Sequence, residues 1–204
     1  HAGGNIKFSK SFPGIKIYGP KHENEEVPAI TNPCEDGDSF NLGNTLVKIL
    51  YVPCHTRGHI AFFGEADSNS KVLACGDTLF NGGCGRFFEG TADEMVINLQ
   101  RFRQLGDNVV CLPAHEYTLG NFAFNASIDE NLRTRFDEIK KMRDDGFFTV
   151  PTTIQDEKLY NLFMNTDDSR IQSLVANASG DNECIGNEVK TMKYLRELKN
   201  NFRG

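Results

Sequence analysis

The 204-residue sequence has no apolar run approaching the roughly 18 residues of a bilayer span, so no transmembrane helix is expected. Nor is there a surplus of positive charge. The 22 Lys and Arg against 28 Asp and Glu leave a net charge of −6, which argues against a nucleic-acid surface, where clustered cations are needed. A local basic patch for a small anion stays open. There is no initial Met and no charged-then-apolar leader, and no repeat or low-complexity tract. Histidine is scarce, at five residues, so the positions it occupies are informative. Six cysteines would allow three disulfides. However, Cys54, Cys75 and Cys111 sit inside apolar, strand-like runs, which predicts buried thiols of a reducing compartment instead. The 39% of hydrophobic and 25% of charged residues suit a globular chain of one large domain or one domain with an appendage.

Residues 1–115 alternate short apolar runs with Gly-rich turns. Ile15–Tyr18, Leu46–Val52, Ile60–Phe63, Val72–Cys75 and Val109–Leu112 read as strands. One helix interrupts them, opened by the capping box Thr91-Ala92-Asp93-Glu94 and carrying Met95, Leu99 and Phe102 on its inner stripe. From residue 116 the chain reads as helix. A second capping box, Ser127-Ile128-Asp129-Glu130, is expected to open a charged helix that stops at Gly146, with Leu132, Phe136, Ile139 and Met142 facing inward. Asp168–Ala176 and Val189–Phe202 are expected helices, with a loop over 177–187.

Three strands deliver polar residues at their ends: His55 after Tyr51-Val52-Pro53-Cys54, Asp77 after Cys75-Gly76, and His115 after Pro113-Ala114. Strand ends of an α/β fold gather at one sheet edge, so these three are candidates for a shared site. Imidazole and carboxylate together suit zinc, iron or manganese. Taken singly, a strand-end His is more often a hydrogen-bonded loop residue and an Asp after Gly a turn former. His59 reads as structural and His22 as solvated. A Cys54–His55 nucleophile pair is weak, because strand neighbours point to opposite sides, and no Ser-His-Asp arrangement is evident.

In order, "HAGGN", "CHTRGH", "GDTLFNGGCGRFFEGTADEM", "PAHEYTLGNFAF" and "MKYLRELKNNF" resemble the glyoxalase II family, the hydroxyacylglutathione hydrolases of the metallo-β-lactamase superfamily. The likeness runs from residue 1 to about 202. The family's first metal motif reads T-H-x-H-x-D-H before Gly-Gly-Asn, so His1 resembles that motif's last histidine. On this reading the sequence begins within the motif. The resemblance implies an αββα metallo-β-lactamase sandwich, N-terminally incomplete, over 1–115, and a C-terminal all-helical substrate-binding domain over 116–204. It implies two divalent metal ions, zinc first with iron or manganese as alternatives. His55 would bind the first ion, Asp77 would bridge, and His1 and His115 would bind the second.

No protein nucleophile is implied, only a water activated between the metals. The implied substrate is a glutathione thioester, chiefly S-D-lactoylglutathione, split to D-lactate and glutathione in methylglyoxal detoxification. The substrate contacts carried over are Arg86, Phe88, His115, Tyr117, Asn121, Arg196 and Lys199. Arg196 and Lys199 also lie three apart on one helix, where both cations can meet one carboxylate. Two departures stand out: Phe88 replaces a Tyr common in the family, and Arg86 replaces a Lys. A cytoplasmic or mitochondrial monomer is expected, with neither nucleic acid nor membrane as partner. Two other readings compete: a mononuclear-iron oxygenase of the same superfamily, and a non-catalytic glutathione-binding module.

Overall fold

The apolar runs between Gly-rich turns in the first half become the strands of one sheet. The computed structural model describes residues 2–21, 27–67 and 70–203, so His1 and His22 lie outside the described residues. In chain order the elements are α1 (Asn5–Ser11), β1 (Tyr18–Pro20), β2 (Asn32–Cys34), β3 (Ser39–Leu42), β4 (Thr45–Tyr51), β5 (Ile60–Glu65), β6 (Lys71–Gly76), β7 (Leu79–Phe80), β8 (Gly83–Cys84), α2 (Ala92–Arg103) and β9 (Val110–Pro113). There follow α3 (Thr118–Ile128), α4 (Arg133–Asp144), β10 (Thr152–Thr153), α5 (Ile154–Tyr160), α6 (Ser169–Ser179) and α7 (Glu188–Asn201). The main sheet runs β10-β9-β6-β5-β4-β3, and β7–β8 and β1–β2 form separate pairs. Among the described residues only β6 and β9 pair in parallel within the main sheet, because α2 carries the chain back between them, as a parallel crossover requires.

Alternation along the strands sorts the side chains onto two faces. Ala61, Phe63, Leu73, Cys75 and Cys111 turn to the helices and are buried against Met95, Leu99 and Phe102 of α2 and Met192 and Leu195 of α7. Each large apolar side chain buried this way stabilises the fold by about 1.5–3 kcal/mol. On the other face, Val72 and Leu112 stay 37% and 44% exposed. Thr91 caps α2 as expected: its N–H donates to Glu94 Oε2 at 2.9 Å. All six cysteines are free and buried, as the apolar settings of three of them predict.

Several expectations need correction. Of Ile15–Tyr18 only Tyr18 enters a strand. The Ile17 N–H donates to the Thr31 hydroxyl, and its carbonyl accepts from Thr31 and Asn32, so a turn takes the ladder's bonds. Helix α1 was not foreseen, since it buries no side chain and so has no apolar stripe to find. Ser127 is not a cap. It lies inside α3, where its hydroxyl donates to the Phe124 carbonyl, and Asp129 caps the short 3-10 turn before α4. Finally, the segment after 116 is not wholly helical, because β10 adds an edge strand antiparallel to β9. Among the described residues no helix is long and apolar enough to cross a membrane.

Candidate active site

The sheet edge gathers the three strand-end residues. His55 Nε2 stands 3.9 Å from Asp77 Oδ2, and His115 Nε2 stands 3.5 Å from Asp77 Oδ1. One buried carboxylate thus has an imidazole facing each oxygen. His55 Nδ1 lies 3.0 Å from the Arg86 carbonyl. A carbonyl only accepts, so Nδ1 carries the hydrogen and Nε2 of the neutral ring presents its lone pair to the site, the usual means of orienting a ligand imidazole. His59 keeps to its structural role: its Nε2 accepts from the Asp77 N–H at 3.1 Å, and burial, then His55, push its pKa down. The His55 loop is tied to the start of α2 by the Arg57 guanidinium, paired two-pronged with Glu94 at 2.8 and 2.5 Å.

The donor types, imidazole and carboxylate, fit divalent ions. Among the described residues no three His, Cys, Asp or Glu form a group that could hold a metal ion. His1, expected as a further ligand, lies outside the described residues. The surroundings of Cys54 disfavour a nucleophilic thiolate. Burial pushes its thiol up to about 12, while a reactive cysteine needs a lowered value.

Beside the three residues opens a cleft of about 750 Å³ lined by Arg86, Phe88, Tyr117, Asn121, Arg196 and Lys199. The structure therefore brings every expected substrate contact to one place. Tyr117 lies flat on His115, with ring centroids 4.9 Å apart and 19° between the planes. Phe88 is 66% exposed, its ring centroid 5.0 Å from that of His55. The cations are more engaged than helix spacing suggested. Arg196 is buried over Phe163 and donates to the Cys84 carbonyl at 2.8 Å. Lys199 donates to the Gly120 carbonyl at 2.5 Å. Burial, then the Arg196 charge, bring Lys199 down to about 8. The Asn121 amide donates to the Asn81 carbonyl at 3.0 Å. Phe80, Leu119 and Asn200 also line the cleft and escaped notice. Asn200 had a signal, four residues after Arg196 on the same helix, and it accepts from Arg196 Nε at 3.1 Å.

Residues 116–202 match the family profile described as hydroxyacylglutathione hydrolase C-terminus. Over 99% of its length the chain is 38% identical to a hydroxyacylglutathione hydrolase of Nostoc punctiforme, spanning 77% of that protein. In fold it is similar to a metallo-β-lactamase of Staphylococcus aureus, with a TM-score of 0.57 at 18% identity, over 96% of this chain and 52% of that one. It is also similar to the protein TTHA1623, crystallised in a di-iron-bound form, with a TM-score of 0.50 at 18% identity, over 79% of this chain and 70% of that one. The structural likenesses establish the metallo-β-lactamase fold, with a helical C-terminal region added. The sequence identity, held over nearly the whole chain, establishes more: this protein belongs to the hydroxyacylglutathione hydrolase family.

Proposed function

We propose that the protein hydrolyses the thioester of S-2-hydroxyacylglutathiones, S-D-lactoylglutathione foremost, releasing the hydroxy acid and glutathione. The observation that carries this reading is a single cleft holding both halves of the required chemistry. His55, Asp77 and His115 sit within the same walls as Arg86, Arg196 and Lys199. Two divalent ions held by His55 and His115 with Asp77 between them, zinc in this reading with iron or manganese as alternatives, would supply Lewis-acid activation of water and of the thioester carbonyl.

The chain's own residues bind and orient. The Arg86 carbonyl fixes the tautomer of His55, and the Tyr117 ring limits rotation of His115. Arg86, Arg196 and Lys199 provide charge for the carboxylates of the tripeptide, where charge-assisted bonds are the strong ones. A thiolate leaves readily, so these residues need not deliver a proton to it. The division at residue 115 into a metal-binding part and a substrate-binding part belongs to the same proposal. The C-terminal segment supplies Tyr117, Asn121, Arg196 and Lys199 to the cleft.

The test is metal content by plasma emission, alongside loss of thioester absorbance with S-D-lactoylglutathione, on protein purified from its source. Two metals per chain and turnover are expected. Metal-loaded protein that leaves the thioester intact, or that consumes oxygen with glutathione persulfide, overturns the hydrolase reading.

A further inference from the structure

The hairpin Leu79–Cys84 turns through buried polar groups that all come from the C-terminal segment. Gly82 is gripped on both sides of its backbone. Its N–H donates to Glu157 Oε2 at 3.0 Å, and its carbonyl accepts from Asn125 Nδ2 at 2.8 Å. Asn161 Nδ2 reaches the Gly83 carbonyl at 3.1 Å and Glu157 Oε2 at 2.8 Å. Glu157, Asn125 and Asn161 are each 1% exposed or less. The turn accepts only glycine at position 82: its φ is +72°, and a Cβ there would stand 2.4 Å from Phe122 Cε2.

From this grip the chain runs straight to the active site. The Cys84 carbonyl accepts from Arg196, Gly85 passes hard against Asp77, and the Arg86 carbonyl meets His55 Nδ1. Five consecutive residues therefore connect a buried acid to the ring that faces Asp77. A buried carboxyl is costly to keep, so its retention at this spot asks for a function, and nothing in the thioester chemistry touches it.

We propose that Glu157 is a positioning residue. By fixing the Gly82 peptide it sets where the Arg86 carbonyl stands, and through that the orientation and tautomer of the His55 ring. This rests on the hydrolase reading only for its kinetic arm. The direct arm is the NMR signal of the His55 Nδ1–H, assigned by its loss in His55→Gln, together with its exchange rate with solvent.

In Glu157→Ala that proton should exchange at least about tenfold faster, as loss of one anchoring hydrogen bond allows. With the thioester, kcat should fall by a similar factor while KM moves little. Glu157→Gln keeps an oxygen for the Gly82 N–H and should restore both. A purely structural acid would lower the melting temperature and leave the His55 proton and kcat unmoved below it, and that result overturns the proposal. If wild type shows no thioester turnover, the NMR arm still decides. If Glu157→Ala does not fold, Glu157→Met, which fills the same space without an acceptor for the Gly82 N–H, is read in the same way.

Discussion

The Gly85 α-carbon and the Asp77 backbone carbonyl are packed so closely that a β-carbon on Gly85 would stand 1.9 Å from that oxygen and 3.1 Å from His55 Nδ1. Both neighbours, Asp77 and His55, belong to the residues that form the site. A methyl group cannot be absorbed by a side-chain rotation, because the nearer obstacle is backbone. Gly85→Ala must shift the 85–86 segment by about 1 Å or more and take the Arg86 carbonyl off the His55 ring. A displacement of that size at a reacting centre costs on the order of 100-fold in rate. The expected result is such a loss in kcat/KM with unchanged helix content by circular dichroism. Activity within a few-fold of wild type would show that the carbonyl does not orient His55.

Phe88 fronts the cleft with its ring largely in solvent, at a position where the family resemblance implies Tyr. A hydroxyl there can reach a bound tripeptide without any change of backbone. Phe88→Tyr should lower KM for the glutathione thioester by roughly 2- to 10-fold, the worth of one hydrogen bond, with kcat unchanged. Steady-state kinetics check this. An unaltered KM would place the tripeptide away from the ring edge.

These two positions show what was legible in the sequence. His55, Asp77 and His115 were readable because each follows an apolar run, and strands of one sheet end together. Thr91 and Glu94 were readable because a capping box is local. Ser127-Ile128-Asp129-Glu130 carries the same pattern, yet Ser127 became helical because α3 extends through it to bury Phe122, Phe124 and Ala126; tertiary packing decided between two local options. The buried grip on Gly82 was not legible. Asn125, Glu157 and Asn161 come from segments more than 40 residues beyond the hairpin in sequence, and single polar residues on helices read as solvated faces until the fold places them. Arg196 and Lys199 came from the family resemblance, with helix spacing in agreement, but neither carries information about the Cys84 and Gly120 carbonyls that already hold them.

Lys199 sets a pH dependence. Burial first, then Arg196, lower its pKa to about 8, so the ammonium is lost well below the usual lysine range. If it binds a substrate carboxylate, KM should rise as pH climbs through 8. Lys199→Arg keeps its charge throughout, since guanidinium titrates above about 12, so KM of this variant should stay flat over the same window. The sign for stability is opposite. The folded state disfavours the charged form, so that penalty is present below pH 8 and is relieved between about 8 and 10.5. A KM profile identical in wild type and Lys199→Arg would remove Lys199 from the binding site.

Glu157 sets a second one, read in stability. Burial pushes its carboxyl up to about 7 from 4.5, against the pull of the Asn161 amide and the Gly82 N–H, and Asp156 adds to the rise. Cys75 and Cys111, whose thiols feel its charge, are themselves held neutral by burial. The folded state therefore binds this proton more tightly than the unfolded chain does. The sign follows: the contribution is complete below about pH 4.5 and is lost as pH rises to about 7 and beyond. The full loss is roughly 3 kcal/mol. Other groups titrate in both proteins, so the informative quantity is the difference between wild type and Glu157→Gln, which has no proton to lose. Relative to the variant, wild type should lose stability between pH 5 and pH 8 in urea unfolding. Parallel curves over that range would mean that Glu157 is ionised throughout and that the Gly82 N–H and Asn161 meet a full carboxylate, which strengthens their grip on the hairpin but removes its pH dependence.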